Sequence, residues 1–110
     1  MGVRSDVGVA LKNSLFEQLT DDQKKSWFGD ATEILYHMDG ALYVWRDVKW
    51  YVEEYKEIEE MYAWLKKKSL EDFLIVVACH DYPGSDEDDC GGWHDNPWGL
   101  SRSVSVSLNY

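Results

Sequence analysis

Between Val52 and Lys68 the apolar residues Tyr55, Ile58, Tyr62 and Leu65 recur at 3-4-3 spacing, with Met61 beside them. That period predicts an amphipathic helix. Glu53, Glu54 and Glu57 crowd its start and Lys66, Lys67 and Lys68 close it, matching the helix dipole at both ends. Other runs carry the β pattern. Val7–Leu11 is short and β-branched, and Phe73–Cys79 is continuously apolar, as a buried strand is. Ser103–Leu108 alternates strictly and predicts a half-buried strand with Val104, Val106 and Leu108 inward. Thr32–Met38 and Ala41–Trp45 flank Asp39-Gly40, a strong hairpin signal. The second hairpin strand is expected to continue through Val48, Trp50 and Tyr51, with a bulge near Asp47. Ser14 with Glu17, and Thr20 with Gln23, fit capping boxes. They predict a broken helix over Leu15–Leu19 and Asp21–Phe28, stopped by Gly29.

These elements assemble into a single α+β domain over residues 1–110. The expected order is β-α-β-β-α-β-β: about five strands in a mixed or antiparallel sheet, with two helices on one face. A long loop over residues 81–100 precedes the last strand. At 110 residues and 45% hydrophobic content the chain is large and apolar enough for one core. The start of the chain has no apolar core long enough for a secretory signal. The longest apolar run, Phe73–Cys79, is far below the ~20 residues of a membrane span. Two cysteines make no disulfide framework. A soluble protein of a reducing cytosol is expected.

Charge changes the picture. From Ser69 to Ser101 there is no Lys or Arg, whereas Glu71, Asp72, Asp81, Asp86, Glu87, Asp88, Asp89 and Asp95 all lie there. That stretch carries −8 of the net −10, leaving −2 for the rest of the chain. Such a surface repels nucleic acid directly and attracts cations or basic protein faces. Six tryptophans and seven tyrosines add rings of the kind that interfaces favour. The candidate partner-binding residues are therefore Asp81, Asp86, Glu87, Asp88, Asp89, Trp93, Asp95 and Trp98. The acids would steer a basic partner, while the two rings would anchor the contact or hold the loop in shape. Glu53, Glu57 and Glu60 share one helix face, with Glu54 beside it, and extend the same anionic surface.

Chemistry finds less support. His80, Cys90 and His94, with Asp81 or Asp95, are zinc-compatible donors, but a Cys-x3-His spacing without a second pair is generic. Asp86, Asp88 and Gly91 resemble the start of a calcium loop whose closing acid falls on Pro97. Cys90 beside His94 lies among Asp88, Asp89 and Asp95, which blunt a thiol nucleophile. No Gly-x-Ser-x-Gly elbow or phosphate-binding glycine loop occurs. The expectation is no catalytic residues, no metal and no cofactor. The aromatic–basic segment Tyr43–Tyr51 has too few cations to hold phosphate in so acidic a chain, and reads as a strand with two covered faces.

Three segments, Arg4–Lys12, Trp45–Tyr51 and Asp95–Leu100, resemble small acidic accessory proteins of tailed bacteriophages. The resemblance implies a non-enzymatic viral protein of the host cytoplasm that binds and inhibits a host protein. Anti-defence inhibitors of CRISPR or restriction enzymes, some of which mimic DNA, are the class it implies. Two alternatives remain. One is a module for a divalent cation or small ligand, centred on the acidic loop. The other is a minor virion or assembly protein.

Overall fold

The computed structural model describes residues 4–51, 54–79, 89–93, 95–102 and 106–107, with backbone only at 101–102 and 106–107. Its centre is β1 (Ser5–Lys12), which pairs antiparallel on one side with β3 (Gly40–Val48) and on the other with β4 (Phe73–Cys79). β2 (Glu33–His37) extends the sheet beyond β3, and β5 (Cys90–Gly91) extends it beyond β4. The sheet order is β2-β3-β1-β4-β5, every pairing antiparallel. This is the α+β fold that the chain's pattern predicts.

Strand alternation divides the core in two. Val7, Val9 and Leu11 of β1, Ala41, Tyr43 and Trp45 of β3, and Phe73, Ile75 and Val77 of β4 face one side. There they meet α1 (Asn13–Phe16), α2 (Asp21–Phe28) and α3 (Lys56–Lys66). Phe28 stacks on Tyr43 with centroids 4.0 Å apart. Ala10, Leu42, Val44, Leu74, Val76 and Ala78 face the other side, which Trp93, Trp98 and Leu100 cover. The helices thus lie on one face, as expected, and the aromatic end of the 81–100 loop takes the place of helices on the other.

The Thr20 capping box forms in full: Thr20 Oγ1 accepts from the Gln23 amide, and Gln23 Oε1 accepts from the Thr20 amide. Gly29 caps the end of α2. The Ser14 box does not form. α1 starts at Asn13, so Ser14 lies inside it, because the Asn13 amide is held by Asp39 O and its side chain by Met38 O.

The hairpin is displaced by one residue from its sequence signal. Met38 and Asp39 make the turn, and Gly40 opens β3 opposite His37 and Lys12. A Cβ on Gly40 would meet Leu11 O at 2.0 Å, so the glycine is there for close strand approach, not for the turn. The bulge falls where it was expected: register shifts between Ser5 and Val7, and Asp47 adopts φ 52°. β3 ends at Val48, and Trp50 turns back into the core.

α3 starts at Lys56, four residues later than its periodicity predicts. Trp50 occupies a core site, its Nε1 donating to Tyr62 Oη at 3.1 Å, and Tyr51 O accepts from the Glu54 and Tyr55 amides. Tyr55 is left extended as the N-cap, 40% exposed. Met61, Tyr62 and Leu65 are buried as expected, and Ile58 is half-buried. Of the strand expected at Ser103–Leu108, residues 103–105 and 108 lie outside the described residues; Val106–Ser107 is a strand, β7, which pairs with β6 (Ser101–Arg102) in a separate two-stranded sheet.

Candidate binding surface and cleft

The acidic loop splits between what the fold uses and what lies outside the described residues. Asp81, Asp86, Glu87 and Asp88 lie outside, as do His80 and His94. Asp89 is half-buried and its Oδ1 accepts from the Val77 amide at 2.8 Å, so it binds the chain to β4. Trp93 and Trp98 pack edge to face, 6.0 Å between centroids, and are 7% and 3% exposed. Their rings serve the second core and so tie residues 89–93 and 95–100 to the sheet. Asp95 alone of the described candidates is exposed.

Asn96 explains how the segment Asp95–Leu100 forms. It is buried, its Nδ2 donates to Trp93 O and its Oδ1 accepts from the Leu100 amide, both at 3.0 Å. Gly99 turns the chain at φ 57°, in the left-handed region that favours glycine. Leu100 then reaches over Gly8, where a Cβ would lie 2.6 Å from Leu100 Cδ1. The closeness of Gly8 is what lets this loop seat on the strand.

Cys79 and Cys90 are free thiols, both half-buried. Among the described residues no three His, Cys, Asp or Glu side chains group as metal ligands. No described helix is long and apolar enough to cross a membrane.

A different feature emerges at the helix side of the sheet. An open cleft of about 570 Å³ lies between the end of α2, the end of β3 and the start of α3. Trp27, Trp45, Trp50 and Tyr55 supply its aromatic lining, and Asp30, Glu57, Arg4 and Lys49 its charge. Trp45 and Trp50 are buried, 5.0 Å apart, and stiffen the floor. Trp27 is half-buried against Trp64, and Tyr55 is stacked on Tyr51 at 6.2 Å. Arg4 Nη1 donates to Asp47 O at 3.1 Å, so the bulge also fixes one cation of the cleft. The sequence shows the aromatic–basic segment that forms the floor. It does not show that α2 brings Trp27 and Asp30 beside it.

Glu57 joins the cleft to the acidic start of α3, where Glu57, Glu59 and Glu60 are exposed, as is Glu54 in the turn before it; Glu53 lies outside the described residues. A helix fixes the spacing of carboxylates, and Glu57 and Glu60 are neighbours on one face. No family model, curated protein or solved structure matches the chain.

Proposed function

We propose that this chain is a non-enzymatic bacteriophage protein that binds and inhibits a host protein, acting in anti-defence against a CRISPR or restriction enzyme through an acidic surface. The observation that carries the binding mode is the continuity of the exposed glutamates at the start of α3 with an aromatic cleft lined by Asp30 and Glu57. An arginine of a basic partner is suited to that setting. Its guanidinium stacks on a ring such as Tyr55 or Trp27 and pairs with a carboxylate at the same time. Arg4 and Lys49 balance the cleft in charge, which suits a polypeptide that also offers carbonyl acceptors. Carboxylates on a helix hold phosphate-like spacing better than those of a loop, so α3 is the better seat for any resemblance to DNA.

The test is affinity capture from infected cells, followed by association rates against ionic strength. The reading expects a basic host protein whose association slows with salt and slows further in an E54Q/E57Q/E60Q variant. Association indifferent to both would defeat it. The cleft volume, within the range of small-molecule sites, favours one second reading, a small-ligand module. Ligand binding that is salt-independent and lost in Tyr55→Ala would support that reading instead.

A further inference from the structure

We infer that the outer edge of β2, beyond which no described strand pairs, is a self-association surface, at which a second copy of this chain pairs antiparallel and joins the two five-stranded sheets into one. An edge strand leaves half its backbone N–H and C=O groups unpaired, and proteins usually blunt such edges with short length, lysine, proline or a bulge. The far edge of this sheet is blunted, since β5 has two residues. β2 has five, with no lysine, arginine or proline, and the bulge lies beyond its paired residues. Its side chains are apolar and open: Ile34 is 42%, Tyr36 69% and the adjoining Met38 83% exposed. Phe16 meets the Tyr36 ring edge to face at 6.1 Å and steadies it.

The strand's own sequence selects the occupant. Glu33-Ile-Leu-Tyr-His37 is self-complementary about Leu35. A two-fold axis there sets Ile34 of one copy against Tyr36 of the other, Leu35 against Leu35, and Glu33 against His37. The first is an aliphatic–aromatic cross-strand pair and the last is an acid facing a base or hydrogen-bond donor. Two copies of net charge −10 repel, yet the two carboxylates at this strip each have a partner: Arg46 Nη2 lies 4.0 Å from Glu33, and His37 Nδ1 lies 3.5 Å from Asp39. Directly opposed positions across this axis therefore bring no two carboxylates face to face.

Sedimentation of the full chain from about 1 μM to 1 mM tests this. A reversible dimer is expected, tighter at higher salt because screening relieves the net repulsion, the opposite of the salt response proposed for the host partner. Ile34→Lys and Tyr36→Lys should each weaken it at least about tenfold, while Leu70→Lys, at a hydrophobic site 59% exposed and off the edge, should not. The register is tested by mixing. I34K and Y36E chains should each be monomeric alone and form a heterodimer together, since the new lysine faces the new glutamate. This arm also distinguishes lost pairing from a damaged fold. A wild-type chain monomeric throughout, a dimer indifferent to I34K and Y36K, or no heterodimer on mixing would overturn the inference.

Discussion

The carboxylate of Asp6 accepts the backbone N–H of Asp47 at 2.9 Å, across the bulge where β3 carries one more residue than β1. Asp6 is buried, and Arg46 Nη1 lies 3.2 Å from its other oxygen. An aspartate in the left-handed region is tolerated where the fold satisfies its backbone. The bulge in turn releases β3 from the sheet and lets Trp50 fold back into the core. Asp6→Ala would leave the part-buried Asp47 amide and the Arg46 guanidinium without this acceptor, and should cost about 1–3 kcal/mol in urea unfolding. Asp6→Asn, which can keep one acceptor oxygen, should cost less.

Trp93 and Trp98 cover the sheet face opposite the helices, so truncation opens the second core to water. Trp98→Ala should cost about 3–5 kcal/mol, with Trp93→Ala similar. Gly8→Ala should also destabilise, by about 1–3 kcal/mol, as Leu100 is pushed off the strand. Hydrogen exchange gives a local check. Amides of residues 89–93 and 95–100 should lose protection in Trp98→Ala before those of β1 do.

Local pattern carries the strands because each is written in a few contiguous residues. Phe73–Cys79 is apolar on both faces, and both faces are covered, which is why the continuous run is a truthful signal. The bulge at Asp47 was legible for the same reason: the alternation of Tyr43 and Trp45 breaks there. What failed was long-range. Gly40 carries a turn signature, yet its neighbour is Leu11, 29 positions earlier, and nothing local shows that contact. The periodicity of Tyr55 cannot show that Trp50 claims a core site and delays the helix. The loop tryptophans were legible as anchors but Asp89 was not legible as a bond to Val77, since a carboxylate in an acidic run looks the same whether it faces water or a strand amide.

Tyr43 gives a pH prediction. Burial pushes its phenol up to about 12 from the ordinary 10.0, with Tyr36 adding to the shift. The folded state therefore holds the proton more tightly than the unfolded state. Its stabilisation is complete below pH 10 and is lost as pH rises from about 10 towards 12, an effect of about 2–3 kcal/mol. Tyr43→Phe keeps the stacking on Phe28 and removes the titration. Denaturation curves at pH 8 and 11 should then fall together less steeply for the variant than for wild type. Equal alkaline losses would place the sensitivity elsewhere.

The acidic residues should separate into two classes. Asp89 is bound to the Val77 amide and sits half-buried, so Asp89→Ala should lower stability by about 1–3 kcal/mol through an unsatisfied strand amide. Glu54 just before α3, and Glu57 and Glu60 on it, are exposed in a chain of net −10, where mutual repulsion opposes folding. Neutralising them to glutamine should leave the melting temperature unchanged or slightly raised. Asp86→Asn with Glu87→Gln and Asp88→Asn lies in the cation-free stretch and should behave likewise. Binding orders these variants differently. For the captured partner, both neutral triples should slow association at low salt and flatten its salt dependence, whereas Asp89→Ala should change the melting temperature first. If the loop triple slows association and the helix triple does not, the partner is steered by the loop alone and the cleft beside Glu57 is free for another ligand. If only the helix triple acts, the contact centres on α3 and the cleft. In that case Tyr55→Ala should speed dissociation with little change in association rate, because a stacked ring contributes after encounter and charge contributes before it.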